Sequence, residues 1–169
     1  MNSANPELRF VAIGPKQQAA LEADAQYAHA MARQDWPRLG ERLAVLIGQA
    51  PVNDVAESEG MPDGYVVFDT QREQAVGSCG FKAPPNESET VEIAYFTYPG
   101  HAGRGVATAM ANHLVALADG QPTVRRVIAH TMPEPSASTR VLEKTGFTRV
   151  GEVDDPDDGC VWRWERRKP

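Results

Sequence analysis

The chain has 169 residues, 41% hydrophobic and 24% charged, which is the usage of one folded globular domain and excludes whole-chain disorder. Lys and Arg number 17 against 23 Asp and Glu, a net charge of -6, the wrong sign for neutralising phosphates, so a nucleic-acid partner is not expected. Apolar runs fall short of the ~20 residues that span a bilayer, so no membrane partner is expected. Met1 to Leu8 lacks a basic flank leading into an apolar core, and the expected location is the cytoplasm. Cys79 and Cys160 show no CxxC or Cys/His spacing, which argues against a disulfide framework or a metal site; both read as buried thiols.

Along the chain, Leu8 to Ile13 reads as a short strand, and Gly14-Pro15 opens a helix expected to run unbroken to Arg33 on an Ala-rich stripe. Trp36-Pro37 is expected to break it, with a second helix from Arg38 to Ile47. A polar loop follows through Gly60, Pro62 and Gly64. From Tyr65 the period changes to two: Tyr65 to Asp69, Ala75 to Phe81 and Thr90 to Tyr98 form a meander of antiparallel strands. A strong helix from Arg104 to Ala118 is closed by Asp119-Gly120. Val124 to His130 is a strand, Ser136 to Lys144 a helix, and Phe147 to Val153 and Gly159 to Glu165 the last strands. The basic run Arg163 to Lys168 reads as a solvated tail. The fold class is mixed α/β, a seven-stranded, mainly antiparallel sheet with four helices in the order β-α-α-β-β-β-α-β-α-β-β.

The informative segment runs from Val91 to Thr108. A strand enters a glycine-bearing turn that opens directly into a helix, so backbone N–H groups from about Ala102 to Ala107 face outward at the positive end of the helix dipole. Gly103 and Gly105 leave room for a phosphate to approach the backbone. The alternative is an ordinary glycine turn before a surface helix. A Walker loop is excluded because no Lys follows Gly105, and the dinucleotide fingerprint because the segment follows an antiparallel meander.

The residues Gly103-Arg104-Gly105-Val106-Ala107 resemble the acyl-CoA pyrophosphate loop of the GNAT acetyltransferase superfamily, Arg/Gln-x-x-Gly-x-Gly/Ala, with Gly105 and Ala107 in its last two fixed positions. Val127 to Glu134 and Ala137 to Phe147 resemble the second signature of the branch that includes ribosomal-protein N-terminal acetyltransferases. Two positions depart: Ala102 replaces Arg or Gln, and Pro135 replaces the usual Asn. The resemblance implies one acyl-CoA N-acyltransferase domain over residues 1–169, moving an acetyl group from acetyl-CoA to a primary amine of a small molecule or peptide, without metal. It also implies cofactor contacts at Ala102, Gly103, Arg104, Gly105, Val106, Ala107 and Thr108, and backbone N–H groups of Phe96, Thr97 and Tyr98 for the acyl and pantetheine arm. Homodimers are frequent in this fold, so self-association is an expectation.

An alkyl amine has a pKa near ~10 and must lose a proton before attacking a thioester. The resemblance gives that proton to Glu92; the alternative is an exposed strand carboxylate, with a water chain or a residue of the Pro51 to Gly64 loop next in line as base. It gives contact with the departing thiol to Ser138, whose alternative is a helix N-cap. Tyr95, Tyr98 and Ser136 are reserve donors. His29 and His113 read as surface or packing residues, and His101 and His130 have no second ligand in spacing. Two other readings stay open: an acyl-CoA-binding regulatory module without turnover, and a toxin-like acetyltransferase of aminoacyl-tRNA.

Overall fold

The computed structural model describes residues 6–48, 62 and 64–169; the Pro51 to Gly64 loop therefore lies outside the described residues apart from Pro62 and Gly64. The elements are β1 (Leu8–Ala12), α1 (Pro15–Glu22), α2 (Ala25–Arg33), α3 (Trp36–Ile47), β2 (Gly64–Asp69), β3 (Gln74–Phe81), β4 (Thr90–Thr97), α4 (Val106–Gly120), β5 (Arg126–Thr131), α5 (Ala137–Lys144), β6 (Thr148–Asp155) and β7 (Gly159–Arg167). The strands hydrogen-bond in the order β1-β2-β3-β4-β5-β7-β6. β4 and β5 run parallel, while β1 with β2, β5 with β7 and β6 with β7 run antiparallel, so the seven-stranded sheet is mixed.

The described helices number five, not the expected four. The Ala-rich stripe is cut at Asp24, whose carboxylate accepts the Tyr27 N–H at 2.6 Å as the N-cap of α2 and pairs with Arg42 of α3. A capping Asp outcompetes helix continuation because it satisfies a donor that a new first turn leaves open. Trp36-Pro37 does not break a helix either. The break is Gln34, at φ 53, and Trp36 and Pro37 open α3 behind the Asp35 cap, where a missing proline N–H costs nothing.

The chain divides into two units. The first comprises residues 1–79 and 96–106, the second residues 80–95 and 107–169. In the first, Leu39, Leu43 and Ile47 of α3 pack with Val11, Val66 and Phe68 of β1 and β2, and Trp36 lies 5.0 Å from the Phe96 ring and 5.4 Å from Tyr98. In the second, α4 buries Met110, Leu114 and Ala118 at i, i+4 and i+8, with Ala111 beside them on the same face.

The C-terminal basic run is not a solvated tail. It forms β7, which pairs with both β5 and β6. Val161 and Trp164 are both buried, on opposite faces of the strand, and the Trp164 indole N–H donates to Thr131 Oγ1 at 3.0 Å. Arg166 grips Asp119 with two nitrogens at 2.9 Å. Cys79 is buried, its thiol pushed up to about 12 by desolvation. Cys160 is exposed at the start of β7, where it meets solvent instead of core. No described helix is long and apolar enough to cross a membrane.

Candidate active site

In the first unit, β4 ends where the Tyr98 N–H donates to the Val76 carbonyl at 2.9 Å, and the His101 N–H turns back onto Tyr98 at 3.1 Å. Gly100, Gly103 and Gly105 then adopt φ of 90, 75 and 78°. These are left-handed conformations that cost other residues energy. A Cβ at Gly103 would meet nothing within 4 Å, so the glycine is required by conformation and the space above it stays open. Ala102, Gly103, Arg104 and Gly105 are exposed, Val106 is a buried anchor, and Ala107 and Thr108 are half-buried in the first turn of α4. The loop presents backbone N–H groups at a helix N-terminus, chemistry that suits a phosphate.

The three amides expected for the acyl arm do not act alike. The Tyr98 N–H is committed to β3, and because successive strand amides alternate in direction, the Phe96 amide faces the same way. Only Thr97, with Tyr95 before it, turns its N–H toward the other edge of β4. Tyr98 is buried, its hydroxyl pushed up to about 12 by desolvation although Ser78 hydrogen-bonds to it. Among the described residues, the buried Thr97 Oγ1 and His101 Nδ1 have no hydrogen-bond partner, which fits a polar ligand on this stretch.

In the second unit, β4 pairs with β5 from Thr90↔Arg126 to Glu92↔Ile128 and no further, although β4 continues to Thr97 and β5 to Thr131. The two strands part at Glu92. There Glu92 Oε1 meets His130 Nδ1 at 2.9 Å and Lys82 Nζ at 2.7 Å. The hydrogen bond to Glu92 raises the Lys82 pKa, with the charges of Glu92, Asp155 and Asp158 acting in the same direction and partial burial opposing them. The Nε2 of His130 is buried without a partner among the described residues. By sequence spacing His130 is a lone strand-end histidine. The signal that finds it is register: with Glu92 opposite Ile128, residue 130 is the next same-face position on β5.

Ser136, not Ser138, caps α5: its Oγ accepts the Thr139 N–H at 3.3 Å, and its own N–H donates to Thr139 Oγ1 at 2.9 Å. Ser138 is half-buried one position inside the helix, and the Tyr95 hydroxyl donates to its carbonyl at 3.4 Å. Burial pushes Tyr95 up to about 12, so it is a neutral hydrogen-bond donor at physiological pH. His29 is exposed on α2, and His113 is half-buried on α4, its pKa lowered by desolvation. Among the described residues no three His, Cys, Asp or Glu gather as a metal cluster.

A model of the acetyltransferase (GNAT) domain matches residues 8–148. The chain belongs to this GNAT family. It is 29% identical over 85 residues to the uncharacterized N-acetyltransferase YjdG of Bacillus subtilis (strain 168), covering 50% of this chain and 51% of that protein. The chain spans about half the length of the curated relatives it matches. The GNAT fold is shared with the ribosomal-protein-S5-alanine acetyltransferase from Vibrio fischeri, at a TM-score of 0.66 and 14% identity over 95% of this chain and 93% of that one. It is also shared with the aminoglycoside acetyltransferase AAC(6')-Ib in complex with coenzyme A and kanamycin, at a TM-score of 0.62 and 16% identity over 96% and 95%.

Proposed function

We propose that the chain transfers the acetyl group of acetyl-CoA to a primary amine by direct attack, as one acyltransferase domain at work in the cytoplasm. The observation that carries this reading is the parting of β4 from β5 at Glu92, with His130 on the same carboxylate oxygen. Acetyl-CoA supplies an activated thioester. Every remaining task falls to groups of the chain. The loop from Ala102 to Thr108 binds the pyrophosphate through backbone N–H groups. The Tyr95 amide, on the β4 edge that β5 leaves open, and the Thr97 amide hydrogen-bond the acyl and pantetheine arm.

An amine arrives as an ammonium, and Glu92 attracts it and takes its proton directly or through water. Oε1 already holds His130 and Lys82, so Oε2 is the oxygen left for this work. The Nε2 of His130 offers a second proton acceptor in the same cluster. Ser138, at the start of α5, is the donor assigned to the departing sulfur, with the Tyr95 hydroxyl beside it.

A second reading, an acyl-CoA-binding regulatory module without turnover, draws support from Lys82, whose ammonium sits on the proposed base. Thiol release from acetyl-CoA across a panel of primary amines separates the two. An aminoacyl-tRNA acceptor is disfavoured by the net charge of -6.

A further inference from the structure

Arg72 stands in the turn between β2 and β3, in the first unit, and its position is fixed by one buried carboxylate. Asp69 is 1% exposed. Its Oδ1 accepts the N–H groups of Gln71 at 3.0 Å and Arg72 at 3.2 Å, while Oδ2 accepts Arg72 Nη1 at 2.6 Å. Burial pushes the Asp69 pKa up, but the hydrogen bonds from Arg72 and from the turn backbone outweigh it and hold it below the usual 3.8. The same carboxylate therefore sets the turn and anchors the guanidinium. The Arg72 side chain is 49% exposed, so the fork is held at one nitrogen and offers its other donors outward.

That turn and the glycine loop leave the same end of a strand pair. β3 and β4 are consecutive and hydrogen-bonded neighbours, with Tyr98 opposite Val76. Arg72 precedes Val76 by four residues and Ala102 follows Tyr98 by four. His101, one residue before Ala102, feels the charges of Arg104, Asp69 and Arg72. Ala102 itself brings no side-chain donor to this end.

We infer that Arg72 is a phosphate-binding residue of the coenzyme site, a guanidinium supplied by the β2–β3 turn where Ala102 supplies none. This rests on the coenzyme reading of the loop from Ala102 to Thr108. The group recognised is a phosphate oxygen, of the pyrophosphate or of the ribose 3′-phosphate, which a guanidinium meets with two parallel N–H donors. Its anchoring on Asp69 lowers the ordering cost of binding.

The test is calorimetric titration of coenzyme A into the wild-type chain, Arg72→Gln, and Arg72→Gln combined with Ala102→Arg. Arg72→Gln should bind about tenfold more weakly, and the added Ala102→Arg should restore most of the loss. Repeating the titrations with 3′-dephospho-coenzyme A identifies the contact. A penalty that persists assigns Arg72 to the pyrophosphate, and one that vanishes assigns it to the 3′-phosphate. Arg72→Lys keeps the charge and the backbone of the turn, so it serves if Arg72→Gln melts early; a loss of about threefold is expected from the missing fork. Equal affinity of wild type with Arg72→Gln, or with Arg72→Lys in the case of early melting, overturns the inference while the coenzyme reading stands. No binding by the wild type overturns that reading and the inference with it.

Discussion

The loop after β4 and the cluster at Glu92 are built of different material. The loop is backbone: three glycines at positive φ and the first turn of α4. The cluster is side chains, with Lys82 from just past β3 and His130 from β5 reaching one carboxylate oxygen of Glu92 on β4. A site made of backbone tolerates most substitutions except those that close its space or change its φ. A site made of side chains fails when one functional group is exchanged, even at constant shape.

Substitutions separate the two kinds of site. Gly105→Asp puts a carboxylate into the anion site and should weaken acetyl-CoA binding by more than about 100-fold in calorimetry. At φ 78 the new residue also carries strain of about 1 kcal/mol, so the variant should melt slightly lower but remain folded. Glu92→Gln should do the reverse, lowering turnover at neutral pH by about 100-fold with acetyl-CoA affinity unchanged, and with partial recovery at high pH, where more amine is already neutral. Loss of affinity in Glu92→Gln would erase the distinction between the two regions. Ser138→Ala should cost less, about fivefold in turnover, because solvent can still protonate the sulfur.

Smaller effects concern stability. Trp164→Phe removes the indole donor to Thr131 on β5 and should cost about 1 kcal/mol in denaturant titration. His101, beside the loop, is held below its usual 6.5 by burial first and by Arg104 second. As pH falls below 6.5 the unfolded chain takes that proton before the folded one does. This site therefore subtracts stability on acidification, down to its lower folded value. His101→Gln should flatten the fall in melting temperature over that window, and an unchanged profile would show that His101 titrates as it does in the unfolded chain.

The loop was legible because its determinants are contiguous: Gly103, Gly105 and the helix that follows stand within a few residues of one another. The strand positions were legible for the same reason, since period two is a local signal. The Glu92 cluster was not, because residues 82, 92 and 130 meet only through strand register. The same holds for Asp24, read as part of an Ala-rich helix until its pairing with Arg42 is known. It holds again for the C-terminal basic run, whose place between β5 and β6 is a matter of sheet order.

Direct acetyl transfer to an amine is read by thiol release from acetyl-CoA by the wild-type chain across a panel of primary amines, with the acetylated product identified by mass spectrometry. Amine-dependent release is expected, one thiol per N-acetyl product, falling about 100-fold in Glu92→Gln. Tight binding of acetyl-CoA with no amine-dependent release from any member of the panel would contradict it and make the chain a coenzyme-binding module.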